Sequence, residues 1–144
     1  MKDLIAKASI KIEAPAKAVW EALTTPALIR QYLFGTEAVS DWKAGSPIAF
    51  RGVWEGKSYE DKGTILKAEP NKEFKYTYWS SMSGTEDTPA NYANVTYSLS
   101  GENGRTVLTI MQDSVPSEES KKHSEQNWSM VLTTLKDLLE NKKG

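Results

Sequence analysis

Asn94-Val95-Thr96-Tyr97-Ser98-Leu99 alternates polar and apolar residues, Gly101-Glu102-Asn103-Gly104 has turn composition, and Val107–Gln112 alternates again with Leu108 and Ile110 in phase. Two period-two runs around a glycine-rich turn predict an antiparallel hairpin with one buried face. Upstream, Phe74, Tyr76 and Tyr78 alternate with Glu73, Lys75 and Thr77 behind a turn at Glu69-Pro70-Asn71. Ser58–Glu69 reads as a further strand, with Gly63 as a bulge that switches which residues face inward. Before it, Ile48, Phe50, Gly52 and Trp54 share one face of a strand closed by Gly56, and Thr36–Ser40 leads into it through Lys43–Pro47. No helix-length pattern interrupts Thr36 to Asp113, so the centre of the chain is an antiparallel meander and not a series of βαβ units.

Helices stand at both ends of this meander. Ala6, Ala8, Ile10 and Ile12 alternate with Lys7, Ser9, Lys11 and Glu13 in a first strand. Pro15 then opens a helix whose face is Ala16, Val19, Trp20 and Leu23, and Thr25-Pro26 starts a second with Ile29, Tyr32 and Leu33, ended by Gly35. At the other end Ser117 caps a long helix with Glu118 and Glu119 in its first turn. Trp128, Val131, Leu132, Leu135, Leu138 and Leu139 form one apolar stripe, and Lys142-Lys143 complement the C-terminal dipole. Lys121 to Asn127 is polar all round and is expected over a wet opening. Ser80–Asn91 is the one long loop, read as an ordinary connection with a lid as the functional alternative.

Composition narrows the chemistry. The 144 residues fit a single domain over 1–144, and 39% hydrophobic content supplies a core without a disulfide or metal. A net charge of -1 provides no basic field for nucleic acid. With no cysteine and one histidine, His123, thiolate chemistry is excluded and metal ligation has few donors, so no cofactor is expected. Apolar runs such as Leu4-Ile5-Ala6 are far below the roughly 18 residues of a membrane span. Met1-Lys2-Asp3 runs directly into a strand pattern, which predicts a cytoplasmic address.

The order of elements resembles the helix-grip fold of the START and birch-pollen-allergen superfamily. Val19–Pro26, Asp41-Trp42-Lys43-Ala44-Gly45, Gly63–Pro70 and Phe74–Tyr78 look like its branch named for the activator of heat-shock-protein-90 ATPase, over nearly the whole chain. The resemblance implies an α+β fold, with a curved antiparallel sheet of six or seven strands around a long C-terminal helix and two short helices between strands one and two. It also implies an apolar cavity between sheet and helix. The eukaryotic co-chaperones of this branch carry an additional N-terminal domain, which these residues do not include.

Trp54, Tyr76, Tyr78, Tyr97, Trp128 and Leu132 are the expected cavity walls, where rings give rigid apolar surface and phenol or indole groups orient a ligand. His123 is expected at the cavity mouth. No G-x-S-x-G elbow and no glycine-rich phosphate loop occur. Glu55, Glu60 and Asp61 read as solvated charges; turned inward beside Arg51, they would allow a cyclase-like proton transfer on a bound aromatic or carbonyl compound. Trp42 and Met82 are candidate contacts for a protein partner. The leading expectation is therefore a binding protein for a small hydrophobic or amphipathic molecule, not an enzyme. A co-chaperone-like interaction domain is the alternative, with monomer and homodimer both open.

Overall fold

The N-terminal alternation is realised: in this computed structural model β1 (Leu4–Ile12) buries Ala6, Ala8 and Ile12 and exposes Lys7, Ser9 and Lys11. The structure describes residues 4–32, 36–54, 56–80, 86–88, 91–102, 104–115 and 117–141, excluding the side chains of Trp54, Ser80 and Asn141. Leu33, Gly35, Glu55, Met82, Lys142, Lys143 and most of the long loop lie outside it. Two helices follow β1, α1 (Ala16–Thr24) and α2 (Pro26–Tyr32). The Pro15 carbonyl accepts from the N–H groups of Ala18 and Val19, and that of Thr25 from Leu28 and Ile29. Proline is tolerated at such starts because its missing N–H has no partner within the helix. The Tyr32 phenol donates to the Ala22 carbonyl at 3.0 Å, joining the two helices through a last-turn acceptor.

β2 (Glu37–Ser40), β3 (Pro47–Trp54), β4 (Lys57–Glu69), β5 (Glu73–Ser80), β6 (Ala93–Glu102) and β7 (Arg105–Val115) form the expected meander. β1 pairs with β7, so seven antiparallel strands stand in the order β1-β7-β6-β5-β4-β3-β2, and α1 and α2 carry the chain from one edge to the other. The sheet curves, and its concave face holds the buried side chains Ile48, Phe50, Ile65, Phe74, Tyr76, Val95, Tyr97 and Ile110.

The face switch in β4 is not at Gly63. Its register against β5 shifts between Ile65 and Lys67, so Leu66 is the extra residue, and the inward set changes from Tyr59, Asp61 and Ile65 to Ala68. Gly63 serves a different purpose, because a Cβ there would stand 1.6 Å from the Thr77 carbonyl oxygen and the bare residue admits a close approach of two backbones. A second shift, between β1 and β7, places Asp113 and Ser114 opposite Ile5, with Ser114 at φ 57. That bulge allows both Gln112 and Val115 to face inward.

The final helix α3 (Glu118–Asn141) begins as its sequence requires, with the Ser117 hydroxyl accepting from Ser120 N–H at 3.1 Å. Val131, Leu132 and Leu135 are buried, while Trp128, Leu138 and Leu139 pack beside them. α3 runs along β1, with β7, α1 and α2 at its sides. Small Ala6 and Ala8 let it come close. Its side chains also complete the β1 edge: Glu125 accepts from Lys7 N–H, Glu140 from Glu13 N–H, both at 2.9 Å, and Lys136 donates to Lys11 carbonyl at 3.1 Å. An edge whose polar groups are occupied this way no longer offers a template for another strand.

Candidate functional site: the concave aromatic face

Inward positions on β3, β5 and β6 place rings side by side, and α3 supplies the last. Phe50 meets Tyr76 at 5.8 Å between centroids, Tyr76 meets Tyr97 at 5.8 Å, and Tyr97 meets Trp128 edge-to-face at 6.1 Å and 79°. A row of four rings thus crosses from the sheet to the helix. The indole N–H of Trp128 donates to Gln112 at 2.9 Å, which fixes the ring that ends the row. Behind the row, Phe74 touches Trp20, Trp42, Tyr76 and Tyr97, closing the side nearest α1.

The row carries polar atoms. The Tyr76 and Tyr97 hydroxyls share one hydrogen bond at 3.1 Å, buried. A single bond uses one of two O–H protons, and the other has no acceptor among the described residues. Burial, then the neighbouring Tyr97, pushes the Tyr76 phenol well above its ordinary value of 10.0. Burial pushes Tyr97 up to about 12 and, with Tyr97 adding to it, raises Tyr32 as well. These phenols keep their protons at neutral pH, so they donate or accept hydrogen bonds and do not serve as phenolate bases.

Beside the row, Tyr78 donates to Asp61 Oδ2 at 2.7 Å, while Asp61 Oδ1 is buried without a hydrogen-bond partner. Asp61 faces inward because it pairs with Phe50 across the β3–β4 ladder. This corrects the expectation of a solvated charge. The alternative of an inward carboxylate beside Arg51 is not met by Asp61 or Glu60: Arg51 bonds Glu60 at 2.7 Å on the convex face, and Glu55 lies outside the described residues. The Tyr59 ring passes over Gly52, where no Cβ stands in its way, and its hydroxyl bonds the Thr36 hydroxyl.

Of the expected walls, the structure brings Tyr76, Tyr97 and Trp128 together, places Tyr78 beside them, and buries Leu132 in the core that supports them. The Trp54 side chain lies outside the described residues, though its backbone pairs with Lys57 in β3. His123 is exposed, five residues before Trp128 and therefore about 140° around the helix from it. Trp42 is half-buried against Phe74 at 6.1 Å, so it belongs to the core margin and not to an exposed contact. Gln112, Tyr59 and Thr36 are polar partners that sequence reading missed, and Asp61 is one it weighed only beside Arg51. Surface hollows lie along the outer side of α3 around Met130 and on the convex face beside Thr64 and Tyr92. Among the described residues no group of His, Asp and Glu could hold a metal, and no helix is long and apolar enough to cross a membrane.

Residues 13–140 match the family model described as Activator of Hsp90 ATPase homolog 1-like protein. The chain belongs to that family. Among solved structures, this family member is 44% identical to a Cytophaga hutchinsonii protein, with 99% of this chain and 97% of that one covered and a TM-score of 0.86. The Aha1 dimer of Colwellia psychrerythraea shares the fold at 19% identity, 98% and 99% coverage and a TM-score of 0.76. CalU16 of Micromonospora echinospora does so at 21% identity, 95% and 82% coverage and a TM-score of 0.72. No curated protein matches the sequence.

Proposed function

We propose that this family member binds a small hydrophobic or amphipathic molecule on the concave side of its sheet, beneath α3. The observation that carries the reading is the buried Tyr76–Tyr97 pair with its spare O–H. A core selected for packing alone gains nothing from that group, whereas a mostly apolar pocket uses a few such groups to orient its ligand. Tyr76, Tyr78, Tyr97, Trp128 and Leu132 form the walls. α3 lies on β1 and reaches the ring row through Trp128 against Tyr97. The polar first turns of α3 stand at one end of that space, with His123 on their outer side.

Thermal denaturation with a panel of lipids, sterols and polycyclic aromatics tests the reading. A ligand at one hundred times its dissociation constant stabilises by about 2.7 kcal/mol, a shift of several degrees in a chain this size. Leu132→Trp, which adds volume to the wall at a cost of about 1–3 kcal/mol, should leave a folded protein that no ligand stabilises. A panel with no saturable shift would remove the reading. The family description favours one second reading, engagement of an Hsp90-type chaperone. It predicts a change in that chaperone's ATPase rate on addition of this protein, and an unchanged rate with no association at micromolar concentration would dismiss it.

A further inference from the structure

Among the described residues, Asp61 is the group on the concave face with an unmet demand for a positive partner. Its Oδ2 is occupied by Tyr78, and its Oδ1 is buried without a donor. An ionised carboxylate only accepts hydrogen bonds, so this oxygen calls for an N–H or O–H from outside the chain. Among the described residues no cation answers it. Arg51 and Lys62 both project from the convex face, where Arg51 bonds Glu60 at 2.7 Å and Lys62 bonds Asp87 at 2.6 Å. Around Asp61 on the inner face stand Phe50 across the β3 ladder, Tyr59 and Gly63 along β4, Tyr78 diagonally on β5 and, directly across β5, Ser80, whose side chain lies outside the described residues; none of them is cationic.

Position agrees with chemistry. Tyr78 pairs with Ala93, two residues beyond Val95, and Val95 pairs with Gln112, the residue that holds Trp128. Asp61 and Tyr78 therefore lie at the end of the sheet nearest the polar opening turns of α3, where a molecule entering from solvent would keep its charged group while its apolar body advances along the rings.

We infer that the molecule bound on the concave face is an amphiphile carrying a protonated amine, and that Asp61 anchors that amine through Oδ1. The inference rests on the binding reading above and names its ligand class. A charge-assisted N–H bond to a carboxylate is shorter and stronger than a neutral one, and the surrounding rings favour a cation over their faces. An anionic ligand is disfavoured at the same place. No covalent step is involved.

Three probes with one apolar body test this by isothermal titration calorimetry at pH 7: 1-naphthylmethylamine, 1-naphthalenemethanol and 1-naphthoic acid. The wild-type protein should bind the amine about tenfold or more tighter than the alcohol, with the acid weakest. Asp61→Asn keeps the size of the side chain and should bring amine and alcohol within about twofold, chiefly by weakening the amine. Tyr78→Phe frees Oδ2 without touching Oδ1 and should retain the amine preference, which keeps the proposal testable if Asp61→Asn folds poorly. An alcohol or acid that binds as tightly as the amine overturns the inference and leaves the binding reading standing. So does an amine preference that survives Asp61→Asn. Absence of saturable heat for all three probes removes the binding reading, and the anchor with it.

Discussion

A methyl group at Gly63 would stand 1.6 Å from the Thr77 carbonyl oxygen and 2.4 Å from its carbon. Both are backbone atoms, so no rotamer change relieves the clash. Restoring an ordinary contact of about 3.5 Å requires β4 and β5 to part locally by roughly 1.5–2 Å. The Thr64 N–H to Thr77 Oγ1 bond, 2.8 Å in the native sheet, would break, and the ladder at Lys62–Trp79 and Ile65–Tyr76 would be strained on either side. At about 1 kcal/mol net for each of two or three hydrogen bonds, with some loss of packing at Ile65, Gly63→Ala should cost about 3–4 kcal/mol. That is a large part of the roughly 5–15 kcal/mol by which a domain is stable. Two other glycines calibrate the effect. In Gly52→Ala the Cβ meets only the movable end of Tyr59, at 2.5 Å, and the expected cost is about 1–2 kcal/mol. In Gly101→Ala it meets the Ala16 Cβ at 3.2 Å, and less than about 1 kcal/mol should be lost. Urea unfolding followed by tryptophan fluorescence measures all three. Gly63→Ala within about 1 kcal/mol of wild type, or less damaging than Gly101→Ala, would refute the reasoning.

Leu132→Ala empties a fully buried position in the α3 stripe and should lower stability by about 2–5 kcal/mol in the same assay. Ser117→Ala removes the hydroxyl that caps α3 and should cost about 1 kcal/mol. Glu125→Ala uncovers the Lys7 amide on the β1 edge, so hydrogen exchange at Lys7 should accelerate while exchange at Glu13, held by Glu140, stays slow. The buried phenols of Tyr32, Tyr76 and Tyr97 ionise above their unfolded value near 10, Tyr97 at about 12. Above pH 10 the unfolded chain therefore binds fewer protons than the folded one, so stability should be unaffected by these groups below about pH 9 and decline from pH 10 towards 12. Thermal midpoints across that range check the sign.

Much of this architecture was legible because burial on one face leaves a period in the sequence. The β1 alternation, the proline-started helices, the meander and the α3 stripe all follow from that rule, and Tyr76 and Tyr97 were found because they share the phase of Phe74 and Val95. The bulges were not legible. Gly63 looked like the irregularity in β4, yet the extra residue is Leu66, an ordinary strand former whose displacement is set by pairing with β5. The Ser114 bulge in β7 likewise depends on pairing with β1. Asp61 was read as solvated because both faces of β4 are polar around it, so its inward phase emerges only from its pairing with Phe50. Gln112 and Trp128 stand 16 residues apart on different elements, and no local pattern joins them.

The central claim is that the concave ring row receives a small apolar molecule. A two-dimensional NMR titration of the labelled protein with 1-naphthylmethylamine addresses it most directly. The account predicts saturable shifts centred on Phe50, Asp61, Tyr76, Tyr78, Tyr97 and Trp128, with intermolecular contacts from the naphthalene protons to those rings. Shifts that never saturate, or that fall on the convex face around Thr64 and Tyr92 or the outer side of α3 around Met130, would contradict it.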